Sequence, residues 1–224
     1  MDEQIANILK LINLRKNGET VALHRQRGII YQKSYGVSMN HLKEIATSIP
    51  QNLDLADRLW HRQVRETMLL ASLVCPVDEL SLSNGLEWCS LITNSELVEQ
   101  MSMNLLSKSQ HISNLCIDLI KTGDNYQYAT ALFSAGWAVR FDNKNLNAIE
   151  IFNQLKPTTE QLYIPEIRRG LTHFLKQLVK SSDQGLHCAQ EWIDQHKTAA
   201  NREVQMIVSE IDAEIAWRKE NKTI

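Results

Sequence analysis

Apolar residues return at intervals of three and four along almost the whole chain, the repeat of one face of an α-helix rather than of a strand. Only eight glycines and four prolines interrupt the pattern. The spacing predicts helices over 2–16, 19–31, 38–49, 53–60, 63–75, 77–92, 95–108, 110–121, 124–141, 145–155, 159–181, 185–196 and 200–220. The breaks between them carry turn chemistry: Asn17-Gly18, Tyr35-Gly36, Ile49-Pro50, Cys75-Pro76, Thr122-Gly123-Asp124, Lys156-Pro157 and Ser181-Ser182-Asp183. An all-α fold follows. Short connections make successive helices antiparallel, and pairs of that kind can stack into an array in which each pair needs only an apolar seam toward its neighbours. A globular bundle satisfies the same pattern.

With 224 residues, 43% of them hydrophobic and 22% charged, the chain is long enough for one substantial core or a short solenoid, in one or two domains. No apolar run approaches the roughly 20 residues of a membrane span, and the amphipathic start MDEQIANILKLINLRKNG lacks a secretory core, so no membrane partner and a cytoplasmic location are expected. Cys75, Cys89, Cys116 and Cys188 are 14, 27 and 72 residues apart, with no CxxC pair, which predicts buried free thiols instead of a disulfide framework or a zinc site. No GxSxG, Walker, GxGxxG or HExxH motif is present, and no metal or cofactor is expected.

The net charge of −2 excludes a global polycation, so any nucleic-acid binding must come from a local patch. The charge is indeed uneven. Arg168, Arg169, Lys176 and Lys180 face only Glu166 between residues 164 and 180, whereas 77–99 holds Asp78, Glu79, Glu87, Glu96 and Glu99 without a lysine or arginine. Arg169, His173, Lys176 and Lys180 recur at i, i+4, i+7 and i+11, a spacing that lines them along one helical face. Such a face suits a run of phosphates, or equally the acidic surface of a protein. A second basic stripe, Arg58, His61, Arg62 and Arg65, surrounds Trp60; the structural alternative there is a solvated face with pairs such as Arg62 to Glu66. Trp60, Trp88, Trp137, Trp192 and Trp217 each have apolar neighbours at helical spacing and are expected in the core. The last helix, with the seam Val204, Ile207, Val208, Ile211 and Ile215, is expected to cap the array.

Two stretches carry a family resemblance. The segment YGVSMNHLKEIA (35–46) and, about twenty residues later, DRLWHRQVRETMLLASLV (57–74) place a GVS-initiated helix, an LW pair and RETMLLASL in an order similar to the DNA alkylation repair family. That family consists of HEAT-like repeat proteins and includes the AlkD-type alkylpurine DNA glycosylases. The resemblance implies an all-α, HEAT-like α-solenoid of antiparallel helix pairs, with residues 1–224 as a single domain. It also implies DNA as partner and, for an active member, metal-free hydrolysis of the N-glycosidic bond of a cationic alkylated purine.

Such a reaction needs a carboxylate near the anomeric carbon and cations on the phosphates. The resemblance puts the family's tryptophan at Ser95, its catalytic aspartate at Glu99, its arginine at Ala129 or Thr130, and its second tryptophan at His173. All four positions are substituted. Glu99 keeps a carboxylate one methylene further out and is the candidate catalytic group, with Ser95 capping its helix and Glu96 and Glu99 on a solvated face as the structural alternative. The candidate DNA-binding residues are Arg168, Arg169, His173, Lys176, Lys180, Arg62 and Arg65. The alternative function is a non-catalytic HEAT-repeat scaffold that binds a protein or structured DNA.

Overall fold

The computed structural model describes residues 2–221. Among them there is no strand, only an isolated bridge between Lys33 and Val64. The chain divides into two compact units, Met1–Leu105 and Leu106–Ile224.

The first unit holds α1 (Asp2–Leu14), α2 (Gly18–Gln26), α3 (Met39–Thr47), α4 (Leu53–Trp60), α5 (Arg65–Val74), α6 (Leu82–Ser90) and α7 (Ser95–Asn104). Asn17, Ser38, Asn52, Ser81 and Asn94 cap five of these, each side chain accepting a hydrogen bond from an amide three residues on. Ser81 starts α6 afresh, so the single helix expected over 77–92 becomes a 3₁₀ turn at Val77–Glu79 followed by α6. The central element is α5, which packs on α3, α4 and α7 and buries every side chain from Arg65 to Ser72. Beside it, Trp60 and Trp88 stack with ring centroids 5.2 Å apart and no exposure, a pairing worth about 1 kcal/mol beyond area burial.

The second unit holds α8 (Ile112–Lys121), α9 (Asn125–Arg140), α10 (Ala148–Gln154), α11 (Thr159–Leu162), α12 (Pro165–Ser181), α13 (Asp183–His196) and α14 (Arg202–Asn221). The helix expected over 159–181 is two: Ile164 is extended ahead of Pro165, which occupies the first turn of α12. The core is the α9–α12 pair, flanked by α8 on α9 and by α11, α13 and α14 on α12. α9 approaches α12 closely because Gly136 faces His173; a Cβ there would sit 2.3 Å from His173 Cδ2. α14 lays its seam of Val204, Ile207, Val208, Ile211 and Ile215 inward, as expected of a terminal helix. Arg218 pins it, donating to the carbonyls of Val179 (2.6 Å) and Ser182 (2.7 Å) at the open end of α12 and to Asp183 (2.8 Å).

The four cysteines are buried and free. Trp60, Trp88 and Trp192 are core residues, but Trp217 is 56% exposed, because its position on α14 faces away from the seam. No helix among the described residues is long and apolar enough to cross a membrane.

Candidate nucleic-acid interface

Of the basic stripe in the first unit, one member is not at the surface. Arg65 is 2% exposed. Its Nε and Nη2 donate to Glu96 at 2.7 and 2.6 Å, and Nη1 donates to the Val37 carbonyl (2.7 Å) and to Glu66 (3.0 Å). Glu66, fully buried, accepts in turn from the amides of Tyr35 (3.0 Å), Gly36 (2.9 Å) and Val37 (3.2 Å). Gly36 has φ +73, and a Cβ on it would lie 2.1 Å from the Asn17 carbonyl, so this turn accepts glycine alone. Tyr31 donates to Glu96 at 2.8 Å, and Asn94 donates to the Ile30 carbonyl at 3.1 Å. The segment from Ile30 to Val37 is thus clamped onto α5 and α7 by an ion network.

This network corrects two expectations. Arg65 has no face left for a phosphate: its charge serves the buried Glu66 and the largely buried Glu96. Glu96 is not on a solvated face. Burial would raise its pKa, but the hydrogen bonds and charge of Arg65, with the Tyr31 hydroxyl, outweigh that and lower it. Nor does Arg62 pair with Glu66; Arg62 is exposed while Glu66 faces inward.

The rest of the stripe is exposed, and Arg58 and His61 are compensated locally. Arg58 bonds Asp54 at 3.2 Å, and His61 meets Glu87 at 2.8 Å and the Asp57 carbonyl at 2.9 Å. The hydrogen bond to Glu87 is the main reason His61 has a raised pKa. The ligand atoms of Asp57, His61 and Glu87 lie within 4.8 Å of one another. Within the group His61 Nδ1 also lies 3.4 Å from Asp57 Oδ1, and Trp88 Nε1 donates to Asp57 (3.0 Å).

On α7, Asn94 rather than Ser95 is the cap, its side chain accepting from Leu97, and Ser95 opens the helix proper. Glu99 lies one turn further along, half-buried.

In the second unit the basic residues of α12 divide between two sides. Arg168, Lys176 and Lys180 turn toward α14, where Arg168 meets Glu203, Lys176 meets Glu210 at 2.6 Å and Lys180 meets Glu214 at 3.3 Å. Arg169, half exposed, lies 4.0 Å from Glu166. His173 turns away from the row, against α9: it stacks on Phe133, tilts against Trp137 and covers Gly136. Its Nε2 is buried with no hydrogen-bond partner among the described residues. Burial, and then the charges of Arg140, Lys180 and Lys176, push its pKa down to about 4, so the ring is neutral. The row along α12 is therefore Arg168, Lys176 and Lys180, with Arg169 at its edge. Arg168, Arg169, Thr172, His173, Lys176, Met206, Ile207 and Glu210 together line a cleft of about 290 Å³.

The glutamates on α14 were visible in the sequence only as surface charges of a terminal helix. Their spacing from 203 to 210 and 214 nearly repeats that of 168, 176 and 180 on α12, and this match was the available signal. The position at which the resemblance places an arginine lies inside the α9–α12 packing. Ala129 and Thr130 are both fully buried, and Thr130 donates to the Tyr126 carbonyl.

A family model described as DNA alkylation repair enzyme matches residues 10–205. A solved structure described as "A new family of proteins related to the HEAT-like repeat DNA glycosylases with affinity for branched DNA structures" superposes with a TM-score of 0.72 at 16% identity, over 93% of this chain and 94% of that one. At that identity the likeness is one of fold, and the fold is all-α and HEAT-like. No curated protein sequence matches this chain significantly.

Proposed function

The chain belongs to the DNA alkylation repair enzyme family, and from that premise we propose that it binds DNA through α12 and that its ligand is structured DNA rather than an alkylated base held for excision. The observation that carries the reading is the run of cations Arg168, Arg169, Lys176 and Lys180 along one helix of a chain whose net charge is −2. Arg62, exposed in the first unit, is a further candidate contact. The family match spans both units, which supports reading residues 1–224 as one HEAT-like domain. Branched DNA is the first form to test, because the structural neighbour is described as having affinity for it.

Against excision stand the substituted positions. Ser95 offers no stacking surface and the arginine position is filled by packing residues, which leaves Glu99 as the candidate catalytic carboxylate. Binding to fluorescent duplex and four-way-junction DNA across a salt series tests the main reading. Three or four phosphate contacts predict a log–log salt slope no steeper than about −3 to −4, and Arg168→Gln with Lys176→Gln should weaken binding at least tenfold. No binding even at low salt defeats the DNA reading. Release of methylated purines by the wild type and its loss in Glu99→Gln would instead establish a glycosylase.

A further inference from the structure

The cations assigned to phosphate are not idle. Arg168, Lys176 and Lys180 each face a carboxylate of α14, and the partners Glu203, Glu210 and Glu214 run along that helix in the same order. The family match ends at residue 205, in the first turns of α14, so the basic row lies inside the matched segment while Glu210 and Glu214 lie outside it. We infer that α14 is an internal competitor for the DNA site: its three carboxylates occupy the cations that phosphates would take and so set how tightly and how selectively the protein binds DNA.

The geometry allows exchange without unfolding. α14 is held independently of the ion pairs, by its buried apolar seam and by Arg218 at the end of α12. The pairs themselves are partly exposed, with Arg168 and Glu203 at 24% and 30%, Lys176 and Glu210 at 30% and 49%, and Lys180 and Glu214 at 46% and 15%. Side chains of this kind can rotate away while both helices stay in place. A partly exposed surface pair contributes about twofold to the equilibrium that holds its cation, so three pairs weaken a phosphate ligand by about tenfold in total and do not close the site. A ligand that offers several phosphates at once can displace all three carboxylates, whereas an isolated phosphate cannot. Each displaced carboxylate also takes up a cation from solution, which offsets one of the ions released from the DNA and flattens the salt dependence.

This inference rests on the DNA reading and is tested so that the two can fail separately. Binding to duplex and junction DNA is measured over a salt series for the wild type, for Glu203→Gln/Glu210→Gln/Glu214→Gln, for Glu210→Gln alone and for Asp212→Asn. Asp212 is an exposed carboxylate on the same helix that faces no cation of the row. The triple variant should bind about tenfold tighter, with a salt slope steeper by about 1 to 3, and Glu210→Gln should show part of the gain even if the triple variant folds poorly. Equal affinity and slope in wild type, triple and Glu210→Gln proteins overturns the competitor and leaves DNA binding intact. A gain from Asp212→Asn as large as that from Glu210→Gln reduces the effect to net charge and overturns it too. Absence of binding in every variant at low salt removes both readings.

Discussion

Replacing Glu66 by glutamine should cost this protein more than its isosteric character suggests. Glu66 Oε1 accepts from the Gly36 and Val37 amides and from Arg65, and Oε2 accepts from the Tyr35 amide at 3.0 Å. The glutamine oxygen must take the Oε1 place, which points the new NH₂ group at the Tyr35 N–H, donor against donor. One charge-assisted bond is lost, at about 2 kcal/mol, and the bonds to Gly36 and Val37 drop from charged to neutral strength, at about 1 kcal/mol each. The sum, about 4 kcal/mol, lies within the roughly 3–5 kcal/mol expected when a buried ion pair loses one partner. For a chain of this size it corresponds to a fall in Tm of about 8–16 °C. Circular dichroism at 222 nm reads the midpoint, and hydrogen exchange reads the cause: the amides of Tyr35, Gly36 and Val37 should lose protection ahead of the rest of the first unit. A midpoint within about 2 °C of wild type, with those three amides still protected, would refute the clamp.

The neutral imidazole of His173 gives an acid window. Above pH 6.5 the ring is neutral in both the folded and unfolded chain and has no effect; as pH falls toward 4 the unfolded chain takes up a proton that the folded one refuses, so stability drops by up to about 3 kcal/mol. His173→Leu should therefore lose less Tm than wild type between pH 7 and pH 4.5; an identical loss would show that other groups set the acid limb. Gly136→Ala drives a Cβ to within 2.3 Å of His173 Cδ2 and should destabilise by about 1–3 kcal/mol. In a His173→Ala background that penalty should vanish in urea titrations. Trp217 is exposed beside Lys180 and Glu214 in a shallow cleft, so DNA binding at α12 should change its emission, and Trp217→Phe should abolish most of the DNA-induced signal.

The helices were legible because their apolar period is local information, and their starts because capping residues sit in sequence beside the amides they satisfy. What escaped was tertiary. Arg65 looks like one cation of a stripe until Glu96, 31 residues away, is seen to close on it. The cap of α7 was placed at Ser95 when Asn94, an equally good cap, takes the role. On α12 the spacing correctly marked a basic helix, but a period of 3.6 leaves neighbouring positions close in angle. The structure sends His173 inward and brings Arg168 into the row, because Gly136 on α9 leaves room for an imidazole.

The residues that carried the family resemblance and those that would carry its chemistry have separate fates. Gly36 and Val37 of the GVS segment and Arg65 and Glu66 of RET touch one another in a single buried network, although about thirty residues separate them. Their pairing fixes how one segment rides on α5, a requirement of the fold whatever the protein binds. The positions assigned to chemistry face different demands: Ala129 and Thr130 are consumed by packing, and His173 fills the space over Gly136. An arginine introduced at Thr130 would have to displace buried packing before it could reach any ligand. Restoring an arginine at 129 or 130, or a tryptophan at 173, should therefore unfold the second unit before it restores an active site, and a Thr130→Arg variant that kept the wild-type Tm would contradict that account.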